Sequence, residues 1–245
     1  MEPTPHISVV IPTLHEGKLL ARTLTQFIPE LRTKYRLELI VSDGGSTDET
    51  LSIAKCFANV VVDNIHGLKQ NISIGRNAGA RVATGDILLF INADTFIDDI
   101  GTFFLEISSI VEQEHIAGVT CNVCVHVDEE TFLDVFFHAI YNWYFWLLNV
   151  VGMGMGRGEC QIVRRDLFFK VGGYNEEIAA GEDFDLFVRL RRFGKIAFLR
   201  SQTVRESPRR YRKYGYFYIS AIWFINAIAV LFFHRSVAKE WKPVR

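Results

Sequence analysis

The 245-residue chain lacks an excess of charge of either sign. It carries 27 Lys and Arg residues against 28 Asp and Glu residues, so its formal net charge is -1 at pH 7. The molecule as a whole therefore offers no electrostatic basis for binding nucleic acid. It also lacks internal repeats and low-complexity linkers. No GxGxxG fingerprint follows the first predicted strand, which disfavours a dinucleotide-dependent dehydrogenase.

Cysteine is scarce, and among the four cysteines only Cys121 and Cys124 form a CxxC pair. Such a pair can bind zinc or take part in redox chemistry. It lies in GVTCNVCVHV, however, which predicts a strand, and residues three apart on a strand point to opposite faces. Because there is no second CxxC motif, we expect buried free thiols.

The N-terminal residues MEPTPHISVV lack the basic and apolar regions of a secretory signal peptide. We therefore expect the catalytic part of the chain to stay on the cytoplasmic side. Hydrophobic residues make up 49% of the chain, which is enough for a sizeable core. The hydrophobic residues beyond those needed for such a core are concentrated in two apolar segments in the second half of the chain.

Short apolar runs alternate with helical patterns over the first hundred residues. The runs are HISVVI, LELIVS, NVVVD and DILLFI, and the helical stretches include Glu16 to Lys34 and Lys69 to Ala83. This alternation predicts βαβ units and an α/β fold with a mixed, mainly parallel central sheet flanked by helices. Ligands of such sheets bind beyond the carboxyl ends of the strands, where the acidic clusters at Asp43 and Asp94 fall.

The second half is less regular. A helix from about Asp98 to Glu114 precedes the CxxC strand, and Phe132 to Val151 carries eight aromatic residues. CQIVRR and IAFL are typical of strands, and GEDFDLFVRLRRFG between them predicts a helix. Tyr216 to Phe233 is a nearly continuous apolar helix.

Four polar motifs can carry chemistry, although each also has an ordinary structural explanation. SDGGSTDET puts Asp43 where it can bind a base or ribose, or only shape a turn. DILLFINADT puts Asp94 where a carboxylate can hold Mg²⁺ or Mn²⁺ against a diphosphate. GEDFDL opens on Glu182 and Asp183, which suit a helix N-terminus or a general base. ESPRRYRKYG can bind phosphate or flank a membrane. Its cations are Arg209, Arg210, Arg212 and Lys213.

The order of the motifs is more specific than any one of them. PTxxE, DGGSTDET, GRNAGA, NAD, GEDFDL and RRY follow one another over residues 6 to 213. This order resembles the family 2 glycosyltransferases, which have the Rossmann-like GT-A fold. The resemblance implies inverting transfer of a hexose from a UDP- or GDP-linked sugar, with Mn²⁺ or Mg²⁺ as cofactor.

The resemblance also implies roles for single residues. Asp183 matches the general base of the family, with Glu182 as its acidic partner, and Asp94 matches a metal ligand. The positions that match nucleotide-sugar contacts are Pro12, Thr13, Glu16, Asp43, Gly44, Arg76, Asn77, Asn92, Ala93, Asp94 and Arg210.

The chain departs from the family pattern at several positions. His15 stands where members often have Asn, and Asn92 replaces the first Asp of the Asp-x-Asp metal motif, so one carboxylate is missing. Ser207 and Tyr211 stand for the Gln and Trp of the Gln-x-x-Arg-Trp motif of processive, cellulose-synthase-like relatives. The shortened apolar part argues against polymer synthesis and export.

The two apolar segments indicate a membrane. Tyr216 to Phe233 has 18 residues, the lower edge of the range for a spanning helix, with basic residues on both sides. A single crossing by Phe132 to Val151 would separate Asp94 from Asp183, so we expect that segment to lie in the membrane interface or to pack on the other helix. The alternative is that both are core helices of a soluble homodimer.

We therefore divide the chain into a catalytic domain at 1–213, with an amphipathic interfacial helix inserted at 131–151, and a membrane-associated helix with a basic tail at 214–245. A catalytic domain on the cytoplasmic face of the cell membrane favours a lipid-linked acceptor, such as a polyprenyl phosphate, a lipid-linked glycan or a glycolipid. Asp134 and His138 are candidates to face its headgroup.

Two other functions fit parts of this pattern. A nucleotidyltransferase that makes sugar nucleotides would share the sheet and the acidic ligands, but it would release pyrophosphate. A catalytically inactive protein that recruits partners to membranes would tolerate Asn92.

Overall fold

A computed structural model gives the fold of residues 6–64, 71–233, 236–237 and 244. Eight strands form one sheet. They are β1 (Ile7–Thr13), β2 (Leu37–Asp43), β3 (Val60–Asp63), β4 (Ile87–Ile91), β5 (Phe96–Ile97), β6 (Ile116–Val125), β7 (Cys160–Arg164) and β8 (Lys195–Glu206). The helices are α1 (Leu20–Thr25), α2 (Pro29–Lys34), α3 (Thr50–Phe57), α4 (Ile72–Val82), α5 (Ile100–Val111), α6 (Phe132–Val150), α7 (Arg165–Lys170), α8 (Glu182–Leu190), α9 (Arg209–Tyr214) and α10 (Tyr216–Phe233).

The sheet is mixed, with the strand order β3-β2-β1-β4-β7-β6-β8-β5. Strands β1 to β4 run parallel to one another, and β8 runs parallel to β6. Strand β7 is antiparallel to both β4 and β6, and β5 is antiparallel to β8. The predicted α/β class is confirmed. Because β1, β2 and β4 are parallel neighbours, their carboxyl ends meet at one edge.

Strand β4 shows why the first half folds this way. Its sequence ILLFI is apolar throughout and completely buried, as expected for a strand covered on both faces. Ile87, Leu89 and Ile91 join one hydrophobic core, and Leu88 and Phe90 join the core on the other face of the sheet. Neighbouring strands and the helices on each side of the sheet supply the rest of each core.

Helix α4 packs unusually closely on the sheet, and glycine allows it. A Cβ atom added at Gly79 would lie 2.4 Å from Val10 Cγ1 on β1, closer than two carbon atoms can approach. The GRNAGA motif is therefore in part a packing motif. It brings the α4 backbone against the sheet and so fixes the position of Arg76, one turn earlier.

Several element boundaries differ from the sequence prediction. The stretch from Glu16 to Lys34 forms two helices, because Ile28 before Pro29 is held extended. Helix α4 begins after Asn71, whose side chain accepts a hydrogen bond from the Ile74 amide; residues 69–70 of the predicted helix lie outside the described part. The predicted strand IAFL is the first part of the longer β8.

The cysteines are only partly buried. Cys121 and Cys160 lie in the core, Cys124 is partly exposed and Cys56 is exposed. The expectation of buried free thiols for the CxxC pair is confirmed for Cys121 and was wrong for Cys124. Cys56 lies in the last turn of the short helix α3, one face of which is open to solvent.

Helix α6 turns its polar face towards the protein. The Asn142 side chain donates to the carbonyl of Val123 on β6 and accepts from its amide, both at 3.0 Å. Asp134 and His138 are buried, so neither reaches the headgroup position proposed for them. The opposite face is apolar and open, since Phe132 is 85% exposed and Trp143 is 57% exposed.

Helix α10 packs on α6 and exposes a second apolar face. The rings of Phe137 and Tyr216 are 4.0 Å apart between centroids. Phe217, near the start of the helix, is 96% exposed, and Phe224 is 63% exposed. Within the described part of the chain, no helix is both long enough and apolar enough to cross a membrane, so the predicted spanning helix at 216–233 is not supported. The basic residues predicted to follow it, at 235 and 239, lie outside the described residues.

Candidate active site

A cleft of about 1140 Å³ opens at the carboxyl ends of β1, β2 and β4. Most of the residues predicted for the donor and the chemistry line it. They are Pro12, Thr13, Glu16, Gly44, Arg76, Asn92, Ala93, Asp94, Glu182, Asp183 and Arg210. Residues far apart in the chain thus meet in one place, as the parallel strand order requires.

Asp43 and Asn77 do not line this cleft. Asp43 is buried in its own turn, where its carboxylate accepts hydrogen bonds from Thr13 Oγ1 at 2.9 Å and from the Ser46 amide at 2.7 Å. The Asn77 side chain donates to the Tyr174 carbonyl and accepts from its amide, both at 2.9 Å. Their hydrogen-bonding groups are used within the protein, so both residues support the walls of the cleft.

His15 takes part in a similar support. It has a φ of +54°, a left-handed conformation that Asn and His adopt more readily than most residues. Its amide donates to Ser46 Oγ at 2.8 Å, and its Nδ1 accepts from the Thr47 amide. His15 therefore joins the loops after β1 and β2, which explains how it can replace Asn.

Arg76 joins three segments of the site from a completely buried position. Its guanidinium donates to Glu182 Oε1 at 2.9 Å, to Asn92 Oδ1 at 3.0 Å and to the Gly158 carbonyl at 2.7 Å. It also lies 5.2 Å from the centre of the Tyr174 ring. The side chain at position 92 is thus committed to Arg76.

Asp183 has the environment of a general base. It lies in the first turn of α8 and lines the cleft. Burial and the neighbouring Glu182 raise the pKa of Asp183 to about 7. A base with a pKa near the working pH is efficient in proton transfer. Glu182 itself pairs with Arg76, so it acts on Asp183 through its charge.

The start of α8 rests on α10. Gly181 precedes the helix with a φ of +86°, and an added Cβ would lie 3.4 Å from Val230 Cγ2 of α10. Phe184, next to Asp183, shares a small hydrophobic cluster with Val230 and Ile178. The position of Asp183 therefore depends on α10.

Arg209 reaches the other carboxylates of the cleft. Its Nη1 and Nη2 donate to the two oxygens of Glu16 at 2.9 Å each, and Nη2 also donates to Asp94 Oδ2 at 3.1 Å. We predicted that Arg210 is the donor-binding arginine. Arg210 does line the cleft, but its neighbour in sequence makes these contacts with the carboxylates.

The fit to a divalent cation depends on the donor. Within the described ranges, no group of three or more His, Cys, Asp or Glu side chains is placed to hold a metal ion. Asp94 offers one carboxylate to the cleft. Mg²⁺ and Mn²⁺ commonly bind through one or two carboxylates together with substrate phosphates. The site fits a divalent cation when a diphosphate supplies further oxygens, and a protein-only site is not present in the described residues.

A second cluster of charged residues in the cleft was missed in the sequence. Arg157 Nε lies 3.2 Å from Glu159 Oε2, and Arg157 Nη2 lies 3.2 Å from Glu206 Oε1. Tyr211 donates its hydroxyl to Glu206 Oε1 at 2.6 Å. Burial and the nearby Glu159 raise the pKa of Glu206 well above its ordinary value. The ESPRRY motif contained two of these residues, but the Gly-rich stretch around Arg157 gave no periodic signal.

The remaining wall of the cleft is apolar. Helices α6 and α10 build it, and they pack against each other through their aromatic side chains. The lining side chains are Ile140, Tyr141, Trp143, Tyr144, Phe145, Trp223 and Phe224. One cleft therefore has a polar part at the strand ends and an apolar part at the helices.

Comparison with known proteins agrees with this arrangement. The model of glycosyl transferase family 2 matches residues 8–142, more than half of the chain. PGL/p-HBAD biosynthesis glycosyltransferases from Mycobacterium bovis and Mycobacterium tuberculosis are 28% identical over 192 residues, which are 76% of this chain and 69% of theirs. Validoxylamine A glucosyltransferase from Streptomyces hygroscopicus is 33% identical over 91 residues, 36% of this chain and 22% of that enzyme.

Solved structures share the fold. The mannosyltransferase PcManGT from Pyrobaculum calidifontis, in complex with GDP-Man and Mn²⁺, superposes with a TM-score of 0.67 at 18% identity, over 84% of this chain and 58% of that protein. Mannosyl-3-phosphoglycerate synthase from Rubrobacter xylanophilus has a TM-score of 0.60 at 18% identity, over 94% of this chain and 75% of that protein. These likenesses confirm a GT-A-like α/β sheet. The chain spans less than two thirds of the length of the mannosyltransferase.

Proposed function

The chain belongs to glycosyl transferase family 2, and we propose that it is an inverting glycosyltransferase. It moves a hexose from a UDP- or GDP-linked sugar to a lipid-linked acceptor on the cytoplasmic face of a membrane. The observation that carries this proposal is that one cleft contains both Asp94, at the end of a parallel strand, and Asp183, a carboxylate with a pKa near 7.

Asp183 removes the proton from the acceptor hydroxyl. The acceptor oxygen forms its bond to the anomeric carbon while the bond from that carbon to the diphosphate oxygen breaks. The nucleoside diphosphate leaves from the opposite face, so one displacement inverts the anomeric centre. Glu182 is held by Arg76 at 2.9 Å, and its negative charge keeps Asp183 basic.

The donor lies at the strand ends in this proposal. Pro12, Thr13 and Gly44 line the part of the cleft between β1 and β2 and contact the base and ribose. Arg210 pairs with the diphosphate through its planar guanidinium. A divalent cation held by Asp94 and the phosphates would stabilise the negative charge of the leaving group.

The apolar part of the cleft suits a lipid-linked acceptor. Its aromatic wall continues into the outer faces of α6 and α10, which expose large apolar side chains. Exposed apolar surfaces of this extent mark sites of interaction. Cations lie beside them, since Lys213 is exposed at the end of α9, just before α10, and Arg200 lies 4.9 Å from the Trp146 ring. An anionic lipid surface matches this combination.

The chemistry is tested by following the products. The full chain is incubated with UDP- and GDP-sugars, with and without Mn²⁺, and with a glycolipid that offers free hydroxyl groups as acceptor. We expect one nucleoside diphosphate and one glycosylated lipid per donor consumed. In a parallel assay, release of pyrophosphate from a nucleoside triphosphate and a sugar 1-phosphate would instead identify a nucleotidyltransferase. Failure of every sugar nucleotide to bind would refute the proposal.

The membrane part is tested separately by flotation with vesicles that contain anionic lipids. Substituting Phe136 and Trp143 on α6 by Ser is expected to reduce the bound fraction several-fold. Phe169→Ser, at an exposed aromatic on α7, is the control and should leave binding unchanged. A wild-type chain that dimerises and ignores vesicles would show that α6 and α10 cover a second copy instead.

A further inference from the structure

Arg209 makes contacts in the cleft that the proposal for donor binding above does not use. Its guanidinium contacts Glu16 through both carboxylate oxygens and Asp94 through one. The side chains are 23% exposed for Arg209, 7% for Glu16 and 12% for Asp94. Charge-assisted contacts of a planar guanidinium at such partly buried positions are stronger than those of an ordinary surface pair.

The contact matters because Asp94 is the carboxylate suited to a divalent cation. The guanidinium and a metal ion are both positive, and both are attracted to the same carboxylate. At partly buried positions such as these, two cations on one carboxylate repel each other more strongly than they would in water. Arg209 and a metal ion therefore compete for Asp94 when no donor is present.

Asn92 replaces the first Asp of the family's metal motif, and this replacement favours Arg209 over a metal ion in the competition for Asp94. A second carboxylate at that position would help a metal ion to displace the arginine. Asn92 carries no charge, and its carbonyl oxygen accepts a hydrogen bond from Arg76. A diphosphate supplies what the protein lacks, because its negative oxygens attract both the metal ion and the guanidinium.

We propose that Arg209 holds Asp94 in the donor-free protein and turns to the diphosphate when the donor binds. The divalent cation then reaches Asp94 only together with the donor. Arg209 is thus a positioning residue that sets the order in which metal and nucleotide bind. This inference rests on the proposed function, since it requires a diphosphate-containing donor.

The test measures metal binding directly, with Mn²⁺ as the probe and electron paramagnetic resonance of free Mn²⁺ as the readout. The full-length wild type and R209Q are titrated without nucleotide and with saturating UDP or GDP. We expect the wild type to bind Mn²⁺ weakly alone and at least about tenfold more tightly with nucleotide. R209Q should bind Mn²⁺ alone at least about tenfold more tightly than the wild type does.

A gain of affinity distinguishes this role from a structural one, because a damaged site would bind metal less well. Arg22→Gln is the matched control. It removes the same charge from an exposed pair with Asp128 and should leave Mn²⁺ affinity unchanged. Adding Asp94→Asn to R209Q should abolish the gain. R209K, which keeps the charge and loses the planar fork, should give a smaller gain, and it carries the test if R209Q does not fold.

Two results would overturn the inference. One is a wild type that binds Mn²⁺ as tightly without nucleotide as with it. The other is an R209Q variant that gains nothing while nucleotide still binds. If nucleotides fail to bind to the wild type under every condition, the proposed function fails first, and that outcome is read from the nucleotide titration alone.

Discussion

Two arginines organise two regions of the cleft, and they do so in different ways. Arg76 is completely buried, and its partners are a carboxylate, an amide oxygen and a backbone carbonyl from three separate segments. Arg209 is partly exposed, and its contacts in the cleft include the carboxylates of Glu16 and Asp94. Arg76 therefore holds its region in a fixed arrangement. In the region of Arg209, we propose that the arginine exchanges its contact with Asp94 for one with the diphosphate.

The difference explains how the two acidic residues proposed for the chemistry are used. Asp183 lies near Arg76, but the arginine bonds to Glu182, and burial together with the charge of Glu182 raises the pKa of Asp183 to about 7. Asp94 is bonded directly to an arginine. In our proposal, Arg76 leaves Asp183 able to accept a proton, whereas Arg209 makes Asp94 available to a metal ion only when the donor binds.

The largest effect is expected from removing the base. Asp183→Asn keeps the shape of the side chain and cannot accept the acceptor proton, so the transfer rate should fall about 10²- to 10⁴-fold. Steady-state rates with saturating donor measure this. Nucleotide affinity should change little, because the base acts on the acceptor. An unchanged rate would rule out Asp183 as the base.

The two arginines should differ in their effect on stability. Arg76→Met leaves Glu182 buried without its partner, which should lower the free energy of unfolding by about 3–5 kcal/mol. R209Q should lower it by less than about 2 kcal/mol, because the Arg209 side chain is 23% exposed whereas that of Arg76 is completely buried. Chemical denaturation compares the two variants. Equal losses would contradict the distinction between a fixed and an exchangeable arginine.

The pH dependence is the smallest expected effect. The active form of Asp183 is the carboxylate, so kcat/KM should rise with pH by about tenfold per unit below the pKa and level off above it. The midpoint should lie near pH 7. Glu182→Gln removes the neighbouring negative charge and should move the midpoint to lower pH. A wild-type midpoint near pH 4 would show that Asp183 titrates as an ordinary carboxyl group.

Much of the fold follows from local patterns. The run ILLFI predicts a strand buried on both faces, and parallel strands bring Pro12 and Asp94 to one edge. The GEDFDL motif predicts Asp183 in the first turn of a helix that follows a glycine, and the structure contains both the helix and Gly181. These features depend on residues close together in the chain, which is why the sequence was informative.

Other features depend on contacts that the sequence does not contain. Asp43 points into its own turn, because Ser46 and Thr13 satisfy its carboxylate. Whether Arg209 or Arg210 meets Asp94 depends on the rotation of a six-residue helix. The Arg157 cluster draws on segments about 50 residues apart, Arg157 and Glu206 being 49 positions from each other. Such choices follow from tertiary packing, which no local pattern encodes.

The contact between Gly181 and α10 has a practical consequence for experiments. Shortening the chain before Tyr216 is an obvious way to obtain better-behaved material, since it would discard an apolar helix. It would also strip Val230 from Phe184 and leave the loop before α8 without its backing. A trimmed fragment would therefore be a misleading substitute for inhibitor screening, and detergent or lipid nanodiscs with the intact polypeptide are the sounder choice.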